Sequence, residues 1–294
     1  MREWLKPFEQ YLQQTKKVSS NTRESYVRDV TAYLNYLKTT EQLIEHTKRH
    51  DVQQYFELLQ QNGRAYTTLA RHLASLRAFY HFLWEQQIVT SNPCDHVSLP
   101  KSEKKSPHIL SLEEIDRLLS VSDLDTVAGQ RDQAMLELLY ASGIRVTELI
   151  SLNVTDVNRK LGILTCTDAK GLQRVIPLGR SALNSLEAYL GQARDKLLKT
   201  SQEQALFLNM RGQRMTRQGF WKILKKSSAR CGLGNKITPN TLRHSFASHM
   251  LASGADIRVV QELMGHAHVV TTHAYVGTDR ARIKETYLKH HPRA

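Results

Sequence analysis

Residue types able to move a phosphoryl group stand beside small-residue turns in the second half of this 294-residue chain. Arg145 follows Ser142, Gly143 and Ile144, which break one helix, and precedes Val146-Thr-Glu-Leu149, which opens another. It is therefore predicted at a helix N-terminus, where anions are favoured. Thr238-Pro239 predicts a helix start on which Asn240 and Arg243, three residues apart, share one face. Gly265 ends a further helix, His266 comes next, and Tyr275 follows nine residues later. Lys170 lies in the turn-forming stretch Asp168-Ala-Lys-Gly171. Two guanidiniums, an amine, an imidazole and a phenol suit phosphoryl transfer with tyrosine as nucleophile. A lysine at a turn is ordinarily only solvated. Composition leaves open whether these groups meet in space.

Other chemistries lack their signatures. There is no GxxxxGK[ST] phosphate loop, and Gly232-Leu-Gly234 is too short a pattern for a nucleotide fingerprint. His266, His268 and His273 invite a metal, but no HExxH motif occurs and no acidic residue lies among them, so no metal or other cofactor is expected. Cys94, Cys166 and Cys231 are odd in number and far apart, which argues against a disulfide framework. No run approaches the ~20 apolar residues of a membrane span, and the first residues have no signal-peptide core, so a cytoplasmic protein is expected.

The formal charge is +13, of which residues 1 to 100 carry only +2. Between Arg211 and Arg230 lie Arg214, Arg217, Lys222, Lys225 and Lys226 without an acidic residue, interleaved with Phe220 and Trp221. Such a run is either a solvated helix face or a phosphate-backbone contact, and the whole-chain charge favours nucleic acid.

The elements that would position these residues are mostly helical. Tyr26, Val30, Tyr33, Leu34 and Leu37 recur at helical spacing, as do Leu69, Leu73, Leu76, Tyr80 and Leu83, with a shorter helix from His50 to Gln61 between them. The aromatics there read as core. A Pro- and Lys-rich linker follows at about 90–107. Ser111-Leu-Glu-Glu114 is a capping-box pattern opening a second helical domain. Leu161 to Thr167 and Arg174 to Leu178 predict an antiparallel hairpin with Lys170 at its turn, and Ala205 to Leu208 a short strand.

The segments SGIRVTELISL, TDAKGLQRVIPLG, TPNTLRHSFASHMLASGADIRVVQELMGHAHVVTTHAYV and HHPRA resemble the tyrosine recombinase (phage integrase) family, and within it the bacterial Xer recombinases. The likeness spans nearly the whole chain. It implies a mainly α fold with a small antiparallel β-sheet: an N-terminal SAM-like core-binding bundle at 1–89, a linker at 90–107 and a catalytic domain at 108–294. It further implies Tyr275 as nucleophile forming a 3′-phosphotyrosyl link, Arg145 and Arg243 as a clamp on the phosphate, Lys170 as general acid and His266 as a phosphate contact. The family's box has histidine three residues before the second arginine, whereas this chain has Asn240, which can donate a hydrogen bond but cannot take up the tyrosine proton. His244, one turn on, reads mainly as a packing residue.

The resemblance implies paired recombination sites on double-stranded DNA, a homo- or heterotetramer with a second recombinase of the same family, a DNA translocase as a further partner, and chromosome dimer resolution at cell division. The last helix, about Asp279 to Lys289, either passes to a neighbouring subunit or packs on its own core. Competing readings are a mobile-element integrase, a catalytically attenuated DNA-binding relative, and a monomeric type IB topoisomerase.

Overall fold

The computed structural model describes residues 2–99, 108–168, 171–234, 237–265 and 278–294, with side chains from 283 onward in the last segment. Two compact units, 1–105 and 106–294, divide the chain.

In the first unit four helices form a bundle: α1 (Leu5–Gln14), α2 (Ser20–Thr39), α3 (Arg49–Gln61) and α4 (Tyr66–Glu85). Ser19 caps α2 by accepting the Thr22 amide at 3.2 Å, and Gly63, at φ +71°, turns the chain after α3. The apolar stripes meet in one core of Phe8, Val30, Tyr33, Leu37, Val52, Leu76 and Phe79, all essentially inaccessible. The Tyr33 and Tyr80 hydroxyls satisfy one another at 2.9 Å inside it, so these aromatics are core, as their spacing predicts. The chain beyond α4 folds back onto the bundle: Arg77 donates to the Cys94 and Val97 carbonyls at 3.2 and 2.8 Å.

The second unit opens with α5 (Leu112–Leu119), whose capping box is formed: Ser111 Oγ accepts from the Glu114 amide at 3.2 Å and Glu114 Oε2 from the Ser111 amide at 2.8 Å. Helix α6 (Val127–Ser142) is buried on every side from Ala134 to Ser142, which makes it the central rod of the unit. It stops at Gly143, in the left-handed region at φ +58°, where a Cβ would stand 2.3 Å from the Phe246 ring. The short helix α7 (Val146–Ser151) follows.

The sheet has three antiparallel strands in the order β1 (Val157–Asn158), β2 (Ile163–Thr167) and β3 (Gln173–Pro177), one more than the hairpin expected. Cys166 pairs with Arg174 and Thr167 with Gln173. The segment 205–208 is not a ladder strand; it makes single bridges, Asn153 to Ala205 and Leu208 to Arg214, and its side chains are buried in the core.

Helix α8 (Arg180–Ala188) runs through one π turn, Tyr189–Ala193, into α9 (Arg194–Leu197). Then come α10 (Arg217–Arg230), α11 (Pro239–Ala252), α12 (Ile257–Met264) and α13 (Thr278–His290). Helix α13 packs on the core of its own unit. Tyr287 is fully buried and donates to the Ala141 carbonyl at 3.0 Å, His291 stacks on the Tyr287 ring at 4.7 Å, and Arg293 closes on Glu137 and Asp116. Among the described residues no helix is long and apolar enough to cross a membrane.

Candidate active site

Arg145 is the N-cap of α7, as predicted, and its backbone amide is held by the Glu148 carboxylate at 2.6 Å. Glu148, three residues on, is buried and also accepts from the Arg145 guanidinium at 3.3 Å. The Arg145 side chain itself remains 44% exposed, so it is anchored at its base and open at its tip.

Arg243 comes from the second turn of α11, whose start is fixed by Thr238 accepting from the Thr241 amide at 3.1 Å and by Pro239 in the first turn. It is buried, and its two terminal nitrogens donate to the carbonyls of Gly143 and Met264. Burial, then the nearby charge of Arg145, push its pKa down to about 10. It remains charged at neutral pH, in a place that disfavours a cation and would welcome an anion.

A third guanidinium completes the group. Arg174 on β3 forks onto Glu148, Nη1 to Oε1 and Nη2 to Oε2, both at 2.9 Å, while its Nε donates to the Leu263 carbonyl at 2.8 Å. Burial alone would raise the Glu148 carboxyl, but hydrogen bonds from Arg174 and from the Arg145 amide, with both positive charges, hold it below the ordinary carboxylate range.

The arginines converge on one feature, the C-terminal end of α12. Leu263, Met264 and Gly265 offer carbonyls left unpaired by the helix, and Arg174, Arg243 and Arg145 take them in that order, the last at 3.3 Å. The partial negative charge of a helix C-terminus favours cations there. Gly265 lies at φ +65°, and a Cβ on it would stand 2.8 Å from Arg174 Nη1. Arg145 and Arg243, braced with Arg174 by one carboxylate and a row of carbonyls, form a net-positive cradle suited to an anion such as a phosphate, while the Arg174 nitrogens are themselves given to Glu148 and Leu263.

Of the six sequence candidates, Arg145 and Arg243 are therefore brought together. Asn240 is exposed on the first turn of α11, whereas Arg243 is buried, so the two do not lie equally on one face. Lys170, His266 and Tyr275 lie outside the described residues, as do His268 and His273. In sequence Lys170 precedes Arg174 by four residues, and His266 directly follows Gly265. His244 is exposed, contrary to the packing role expected, because α11 turns its buried side through Arg243, Ser245 and Phe246.

Sequence reasoning missed Glu148 and Arg174. Glu148 had a local signal: it is the third residue of a helix begun by Arg145, where a carboxylate caps the chain. Arg174 had none, since a lone arginine in a strand reads as solvent-facing.

The basic run is divided. Arg214 is spent inside the fold, donating to the Ile150 and Leu152 carbonyls at 3.0 and 2.9 Å, and Phe220 is core. Arg217, Lys222, Lys226 and Arg230 stay exposed on α10, and Lys225 lies over the exposed Trp221 ring at 5.5 Å from its centroid.

Residues 108–282 match the phage integrase family, and residues 5–87 match the phage integrase N-terminal SAM-like domain. The chain is 44% identical over 293 residues to the tyrosine recombinase XerD of Oceanobacillus iheyensis, covering 99% of this chain and 98% of that one. It is 40% identical over 297 residues to the XerD of Listeria monocytogenes, covering 100% of both. Among solved structures, the fold is similar to the XerH site-specific recombinase bound to palindromic difH substrate, with TM-score 0.73, 17% identity and 96% and 81% of the two chains covered. It is also similar to the Tn1549 transposon integrase in complex with a circular intermediate DNA, with TM-score 0.72, 18% identity and 97% and 98% covered.

Proposed function

This chain belongs to the phage integrase family of tyrosine recombinases, and from that premise we propose that it is an Xer-type site-specific recombinase that resolves chromosome dimers at cell division. The observation that carries the reading is the guanidinium cradle at the end of α12, directly before the sequence holding His266 and Tyr275.

In this reading Tyr275 Oη attacks a backbone phosphorus. A phosphorus–oxygen bond forms to the tyrosine as the bond to the 5′ oxygen breaks, and Lys170 supplies the proton that leaves a free 5′-hydroxyl. Arg145 and Arg243 neutralise the non-bridging oxygens as charge grows on them, with His266 as a further phosphate contact. The phosphotyrosyl ester conserves the energy of the broken link, so a 5′-hydroxyl of the second duplex reseals it by the reverse displacement. No metal, nucleotide or other cofactor enters that balance.

The substrate is double-stranded DNA carrying paired sites, gripped by the exposed cations of α10 through its phosphates. Strand exchange takes place in a tetramer, with four copies of this chain or with a second recombinase of the same family, and a DNA translocase aligns the sites. Asn240 favours a second reading, that cleavage is attenuated or partner-dependent, since an exposed amide offers no base.

The test is incubation with a nicked suicide duplex carrying a candidate site, followed by denaturing electrophoresis. The expected result is a covalent protein–DNA band that is absent for Tyr275→Phe. Site-selective binding without any band would overturn cleavage by this chain alone in favour of a catalytically silent or partner-activated subunit.

A further inference from the structure

Arg174 lies outside the residues assigned to phosphate contact, yet all three nitrogens of its guanidinium are bonded. Nε reaches α12 at Leu263, and Nη1 and Nη2 reach α7 at Glu148, while the residue itself belongs to β3. One side chain thus joins three elements that are remote in sequence. Its fork also sets the neighbours: Glu148 holds the Arg145 amide, and Leu263 is the first of the three carbonyls shared with Arg243 and Arg145.

The strand that carries Arg174 leads back to a closed turn. Asp168 donates its amide to the Leu172 carbonyl at 2.9 Å, its carbonyl accepts from the Gly171 amide at 3.0 Å, and its carboxylate accepts from the Leu172 amide at 2.9 Å. Lys170 falls between these partners in sequence. Because Asp168 is bonded to Gly171 and Leu172, a shift of β3 carries the end of β2 with it.

We propose that Arg174 is a positioning residue that ties the hairpin bearing Lys170 to the end of α12 and to Glu148, fixing the general acid relative to the arginine cradle. This rests on the proposed recombinase chemistry. A buried ion pair serving stability alone needs no particular shape, and apolar residues often do as well. A planar fork against a carboxylate fixes orientation in two directions, which a lysine ammonium cannot do.

The test compares the wild-type protein with Arg174→Lys, which keeps the charge and loses the fork. Single-turnover cleavage is measured with protein saturating over two nicked duplexes, one ordinary and one carrying sulfur at the 5′-bridging position. A thiolate leaves without a proton, so the sulfur substrate does not need the general acid. On the ordinary substrate a displacement of the acid by about 1 Å should slow cleavage by about 10²-fold, with unchanged affinity for DNA. On the sulfur substrate the variant should cut at nearly the wild-type rate, as Lys170→Ala should. An undiminished rate on the ordinary substrate would overturn the inference. So would an equal loss on both substrates, or a loss that follows the fraction unfolded in a melting curve. If wild-type protein forms no covalent adduct on either duplex, the recombinase reading itself fails, and the inference with it.

Discussion

Glu148 and Arg174 meet as two forks, oxygen to nitrogen at 2.9 Å on each prong, with the carboxylate almost wholly withdrawn from solvent. The same carboxylate takes the amide of Arg145. A single acidic residue therefore meets two guanidiniums, Arg174 as a fork and Arg145 at one nitrogen, and seats the helix that presents the second.

Removing that charge should be costly. Glu148→Gln leaves Arg174 buried against half of its former acceptor, and breaking a buried pair in this way costs roughly 3–5 kcal/mol. Urea unfolding of the second unit, followed through Trp221 with Trp4 and Trp84 replaced by phenylalanine, should show a lower midpoint with an unchanged slope. The folded pKa of Glu148 is depressed, so its contribution is present at neutral pH and is lost as pH falls through the folded value. The variant should lack that part of the acid loss.

Gly143 sets a second relationship, since its carbonyl receives Arg243 and its missing Cβ makes room for Phe246. Gly143→Ala must adopt a left-handed conformation and push a buried ring aside, together costing roughly 2–5 kcal/mol. Gly191→Ala, in an exposed helical turn with nothing near the added carbon, should instead stabilise by roughly 0.5–1 kcal/mol. Parallel thermal melts distinguish the two.

His291 is buried among the rings of Tyr287, Tyr140 and Phe246, and burial pushes its pKa from 6.5 down to about 3. Between those values the unfolded chain binds the proton and the folded one does not, so stability falls as pH falls, by up to roughly 5 kcal/mol. His291→Phe keeps a ring in place and removes this dependence. His249, also lowered by burial, leaves a residual slope of the same sign. Urea midpoints at pH 7 and pH 5 should differ less in the variant than in the wild type.

Asn240→His should raise the single-turnover cleavage rate by about tenfold or more, because it puts a base on the first turn of α11, three residues before Arg243. An unchanged rate, with DNA binding intact, would show that the amide already serves whatever this position supplies.

The exposed cations of α10 make a separate prediction. If Lys222 and Lys226 each neutralise one phosphate, replacing either by alanine should weaken binding to all sequences alike. Each replacement should also flatten the plot of log affinity against log salt by about 0.9. Arg214→Ala should instead destabilise the fold, since its donors are given to the Ile150 and Leu152 carbonyls.

Features that depend on a few adjacent residues were legible in the order of amino acids. The capping pair Ser111 and Glu114, the Thr238-Pro239 helix start, the stops at Gly143 and Gly265 and the N-cap position of Arg145 all formed where their spacing placed them. Each is decided by bonds across three or four residues, so local chain geometry suffices. The recombinase motifs were legible in the same way, as types at fixed separations.

What tertiary structure alone decided involves groups that the sequence keeps far apart. Arg174 reaches Glu148 across 26 positions and Leu263 across 89, and Arg243 reaches Gly143 across 100. The same packing buried Phe220, left Trp221 beside it in solvent, withdrew Arg214 from the basic run and folded α13 onto its own core. Sheet register and helix packing fix those meetings, and a charge or a ring is read as surface or core only once its neighbours are in place.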